Sequence, residues 1–232
     1  MHMCKRTALF VVSSILLTAS IVTATYTNYR RYKDIDRTKI PEKVEASKAF
    51  QKWITNAKNK KLELSADDFA MVEENEIYNT KWMSVYNIDE PGVSETFQAN
   101  IAAHKDIKGV VFSPSDKQYI DYRAIPKDGY APNEIHYYGL REDKLVDARL
   151  LNCADSLNCY FDRAYFLDND VFVISEFSRN LAKESEAIPT CNLNSACTYT
   201  VKLHVIDLNR NSRLVYESKP FDINLFELIP KL

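Results

Sequence analysis

The sequence predicts a mainly β fold, α+β overall, built as an antiparallel β-hairpin meander. Three observations carry this. From Gly109 onward apolar and polar residues alternate with period two, as in half-buried strands. Pairs of such runs recur around short clusters of Asp, Asn, Ser and Pro, residues that turn a chain without glycine. Hydrophobic residues fill 46% of the 232 positions and aromatics 12%, enough for one packed core and too much for a disordered chain.

Residues 1–27 read as a transmembrane anchor or signal peptide. Lys5 and Arg6 precede an apolar stretch from Thr7 to Tyr26, and twenty residues at about 1.5 Å each reach roughly 30 Å, the thickness of a bilayer core. Val22-Thr23-Ala24 supplies small residues for cleavage. The length of the stretch and the flanking Tyr26, Tyr29, Arg30, Arg31 and Tyr32 favour an uncleaved anchor, single-pass, with the lipid bilayer as partner.

Residues 28–61 form a basic juxtamembrane stalk with eleven Lys and Arg against four Asp and Glu, net +7. With +2 before the stalk and −2 overall, residues 62–232 carry −11. The stalk suits anionic lipid headgroups, each nearby basic residue being worth about 1 kcal/mol, or else a solvated spacer. The acidic remainder argues against nucleic acid. Within the stalk, Pro41 to Asn59 reads as an amphipathic helix with Ala46, Phe50, Trp53, Ile54 and Ala57 on one face. It lies on a bilayer or docks on its own domain, and the bulk of Trp53 favours docking. Ser65 to Asp68 resembles a capping signal for a short helix through Phe69, Met71 and Val72.

Strands follow over Ile77 to Ile88, and Glu95 to Ala102 fits strand or helix. Four hairpins then pair Val110–Phe112 with Tyr119–Ala124, Ile135–Leu140 with Leu145–Leu150, Tyr160–Leu167 with Val171–Phe177, and Tyr199–Leu208 with Leu214–Glu217. The tail Phe221 to Ile229 adds a further strand. The phrases Val111 to Ile120 and Leu203 to Asn209 resemble single strands of β-propeller repeats. Four hairpins make two blades, fewer than the about four that a closed propeller needs. The architecture expected is a twisted sheet, a sandwich or a partial propeller-like stack, with the amino-terminal helix over one face.

Cys153, Cys159, Cys191 and Cys197 form two copies of C-x5-C, a spacing poor for zinc knuckles and suited to two disulfide-closed loops. Other connectivities, such as Cys153 with Cys191, stay open. Disulfides imply an extracytoplasmic domain. The basic residues after the apolar run favour the cytoplasm by the positive-inside rule, and the paired cysteines outweigh them.

Only 4 glycines occur, each isolated, so G-x-G-x-x-G, G-x-x-x-x-G-K-[ST] and G-x-S-x-G cannot be written. No cofactor, metal or catalytic signature is present. His136 with Glu134 and Asp121 could converge across neighbouring hairpins. The alternation around Val201, Leu203 and Val205 places His204 on the solvent side with Lys202. Asp168-Asn169-Asp170 reads as a turn, since the glycine and distal Glu of a calcium loop are missing. Tyr119, Tyr122, Tyr137 and Tyr138 form a candidate binding face for a protein or glycan partner. The expectation is a non-catalytic binding or envelope-assembly module at a membrane. The alternatives are an envelope hydrolase with a site drawn from dispersed His, Asp and Glu, or the same domain facing the cytoplasm.

Overall fold

The computed structural model describes residues 36–77, 82–123, 134–153, 159–179, 191 and 195–228. Residues 1–27, expected to be an anchor or signal peptide, lie outside the described residues. Among those described, no helix is long and apolar enough to cross a membrane.

The amphipathic segment folds as two helices, α1 (Glu42–Glu45) and α2 (Lys48–Asn59), rather than one. Ser47 makes the break: its backbone is extended and its side chain accepts a hydrogen bond from the Phe50 N–H, so it caps α2. A 3-10 turn, Ala66–Asp68, carries the capping box expected at Ser65. The residues after it depart from the expected helix. Phe69 to Asn75 are strand β1, because pairing with a neighbouring strand gives this short segment the partner that a lone two-turn helix would lack. Of the run from 77 to 88, Met83–Asn87 is strand β2; α3 (Val93–His104) resolves the ambiguous segment as helix.

The four hairpins form as expected: β3 (Val110–Phe112) with β4 (Gln118–Asp121), β5 (Glu134–Arg141) with β6 (Lys144–Asn152), β7 (Cys159–Phe166) with β8 (Val171–Arg179), and β9 (Ala196–Asp207) with β10 (Ser212–Ser218). The tail gives β11 (Phe221–Asn224) and a single turn, α4 (Leu225–Leu228). Little glycine is needed at the turns. Asp116, Glu142 and Asn211 take the left-handed conformation, and the Asp168 carboxylate accepts the N–H groups of Asp170 and Val171.

Two antiparallel sheets result, ordered β1-β10-β9-β8-β7, with β11 on the far half of β9, and β2-β6-β5-β4-β3. Their inner faces pack together through Ile120, Ile135 and Tyr137 on one side and Phe172, Ile174 and Ile206 on the other. Each outer face carries a helix. Phe50, Trp53 and Ala57 of α2 cover Tyr165, Phe177 and Leu203 of the first sheet; Phe97 of α3 covers Tyr119 and Tyr138 of the second. The layering is thus helix, sheet, sheet, helix, within a unit running from Thr38 to Leu232. Trp53 is buried and donates its indole N–H to Asp162 at 3.0 Å.

Candidate functional site

In a meander the turns closing successive hairpins fall at one end of the sheet, and here both sheets present that end together. The four turns surround a cavity of about 700 Å³. Ser115, Arg141, Asn169, Asp170 and Asn209 form its polar rim, and Met83, Val85, Leu140 and Val146 its apolar floor. The rim ties the sheets to each other. Ser115 N–H donates to Asn169 Oδ1 at 2.9 Å, Arg141 donates to Asn209 Oδ1 at 2.9 Å, and Arg141 Nε lies 3.4 Å from Asp170 Oδ1. Lys117, Glu142 and Lys144 complete the charged border. A preformed apolar floor under a few fixed polar groups is the usual form of a binding site.

The floor continues into β2, an edge strand that among the described residues pairs with β6 alone. Val85 is 54% exposed, and Trp82 and Tyr86 are each 45% exposed. No family model, curated protein or solved structure matches this chain. The site's chemistry therefore rests on its own residues.

Two histidine–carboxylate pairs lie elsewhere, and neither lines the cavity. On the outer face of the second sheet His136 Nε2 lies 2.9 Å from Glu134 Oε2, while Arg149 donates to Glu134 Oε1 at 2.9 Å and stacks 3.8 Å from the Trp82 ring centre. Asp121 sits across the strand pair from His136, but its carboxylate is held by Arg123 at 2.5–3.0 Å. Burial acts to raise the Glu134 pKa; hydrogen bonds from His136 and Arg149 outweigh it, and the net shift is downward.

The second pair corrects the expectation for His204. It is buried, 4% exposed, on the inner face of the first sheet, with its Nε2 2.8 Å from Glu176 Oε2. Alternation misplaced it because both faces of this sheet are covered, one by α2 and one by the other sheet, so neither parity of β9 meets solvent. Ser178 Oγ donates to Glu176 Oε1, and Lys202 Nζ stands 4.0 Å from the same oxygen. Burial acts to raise the Glu176 pKa, yet His204, Ser178 and Lys202 together bring it down to about 2. Glu176 escaped the sequence reading; its one signal is an acid in the apolar run Val171 to Phe177.

The four tyrosines of the expected binding face fall in three places. Tyr119 and Tyr138 lie under α3, Tyr137 is in the core between the sheets, and Tyr122 is half-buried against that core. All four take part in packing the body. The cysteines pair within each C-x5-C, Cys153 with Cys159 and Cys191 with Cys197.

Proposed function

We infer that this chain is a membrane-anchored, extracytoplasmic binding module without catalysis, and that its ligand is an extended segment of a partner protein seated at the turn end of the sandwich. The observation that carries the reading is the cavity built from all four hairpin turns, with its floor running onto an edge strand. An added strand would pair with the outer backbone of β2 and direct alternate side chains over Val85 and Met83, the polar rim fixing its register. The two disulfides and the apolar stretch from Thr7 to Tyr26 support the compartment.

Selection of displayed linear peptides on the purified full chain tests the ligand class. Peptides that lose tenfold or more in affinity when Val85→Asp is introduced support it; peptides indifferent to Val85→Asp and to Arg141→Ala overturn it. Mass mapping of protein from its native compartment tests the location, and free thiols at Cys153, Cys159, Cys191 and Cys197 would defeat it.

A further inference from the structure

We propose that Cys153, Cys159, Glu176 and His204 form a buried zinc site that becomes available when the Cys153–Cys159 disulfide is reduced. This inference is independent of the cavity and concerns the reduced form of the chain, whereas the compartment assigned above holds the disulfide.

The four residues come from four neighbouring strands at the junction of the two sheets. Cys153 follows the end of β6, Cys159 opens β7, Glu176 lies on β8 and His204 on β9. Register puts them on one face: Cys159 is opposite Ser178, Phe161 opposite Glu176, and Ile174 opposite His204, with Phe161 and Ile174 both in the core between the sheets. Both sulfurs and a Glu176 oxygen lie within 4.8 Å of one another, and His204 Nε2 is 2.8 Å from Glu176 Oε2. Tetrahedral zinc, with bonds of about 2.3 Å to sulfur and about 2.0–2.2 Å to nitrogen and oxygen, asks for donors roughly 3.2–3.8 Å apart. Cys153, Cys159 and Glu176 supply three donors; His204 stands outside that set, and its buried ring has to turn from Glu176 toward the sulfurs to complete the tetrahedron once they separate.

The electrostatics fit a cation. Two thiolates and one carboxylate bring three negative charges, zinc supplies two positive, and Lys202 stands beside the Glu176 carboxylate to balance the remainder. Ser178 holds the other Glu176 oxygen, as an outer partner orients a ligating carboxylate. A buried carboxylate and imidazole in an apolar junction are hard to justify by stability alone, since apolar residues of equal volume fill such places as well or better. A metal that two of the strands help to hold gives the pair a use.

In the reducing step a trialkylphosphine donates two electrons to the S–S bond and leaves as the phosphine oxide with oxygen from water. The two thiols then each release a proton on binding the cation. The test uses the full chain in detergent with Cys4→Ser, Cys191→Ser and Cys197→Ser, reduced, desalted without oxygen and titrated with Co²⁺. The expected result is one equivalent bound with thiolate charge-transfer absorption and tetrahedral d–d bands, no such spectrum from the oxidised protein, and displacement by Zn²⁺. Glu176→Gln and His204→Gln should each weaken binding by more than the 10- to 100-fold that losing an outer partner costs, and shift the d–d bands. Glu176→Asp, which keeps a ligand and serves if Glu176→Gln does not hold the parent far-ultraviolet dichroism, should retain a tetrahedral spectrum. A folded, reduced protein without that spectrum, or one whose spectrum and affinity are unchanged by His204→Gln and by Glu176→Gln, would overturn the proposal.

Discussion

Glu176 makes the stability of the oxidised protein depend on pH in a way that one substitution isolates. Its pKa is about 2 in the folded chain against an ordinary 4.5, because the folded environment favours the carboxylate over the acid. That difference corresponds to about 3 kcal/mol of stability at neutral pH. A depressed carboxyl contributes in full above its unfolded value, and the contribution is lost as pH falls through the folded value. The window therefore runs from about pH 5 down to about pH 2, with roughly 2 kcal/mol gone by pH 3. Urea denaturation of the full chain and of Glu176→Gln, followed by the fluorescence of Trp53 and Trp82 under non-reducing conditions, reads this directly. The stability gap between the two proteins should narrow by about 2 kcal/mol between pH 7 and pH 3. Other carboxylates titrate equally in both and cancel. A gap that stays constant from pH 7 to pH 3 would show that Glu176 is not held as an anion by His204, Ser178 and Lys202.

Trp53→Ala should lower the unfolding free energy by about 3–5 kcal/mol, since it empties a buried indole site between Phe50 and Phe69; a loss below about 1 kcal/mol would place α2 off the sheet. Gly139→Ala should reduce the melting temperature more than Gly92→Ala. A methyl on Gly139 would sit 2.7 Å from Gln118 Cβ and 3.0 Å from its Cα in the paired strand, whereas at Gly92 nothing lies within 4 Å and only the left-handed backbone opposes the change, at about 1 kcal/mol. Ser47→Ala should cost about 1 kcal/mol in denaturant titration through the lost cap of α2, and Ser47→Asp should restore most of it.

The hairpins were legible because their signals are local. Turn residues punctuate each pair of strands, and the observed registers centre on the turns read from the sequence. The pairing of β1 with β10 was not legible, since it joins Phe69 to Ser218 across most of the chain and nothing near Phe69 encodes its partner. The site was hidden for a related reason. The rim of the cavity consists of turn residues, which read as turns and nothing more until four of them meet. His204 was misplaced because an alternation with one solvent face was assumed, and here α2 covers one face of the sheet and the second sheet covers the other. The spacing of the cysteines suggested two short loops, and the fold decided among the possible connectivities.

The treatment of the sheet edges separates β2 from the rest. An open edge offers unpaired backbone groups, and chains ordinarily protect such strands with charges, bulges or cover. Strand β1 has all three: Glu73 and Glu74, a register shift between Met71 and Glu73, and a hydrogen bond from Met71 N–H to Thr38 O along its outer side. Strand β3 is three residues long and lies against β7. Among the described residues strand β2 has none of these: its five residues, Met83 to Asn87, carry no charge and leave Val85 and Tyr86 largely exposed. A chain with 62 charged residues places none on this edge, which is also the edge that floors the cavity. If β2 were only a tolerated liability, Val85→Lys would improve solubility and leave peptide binding untouched. On the reading argued here it improves solubility and abolishes binding together, because the exposed edge and the ligand seat are the same surface.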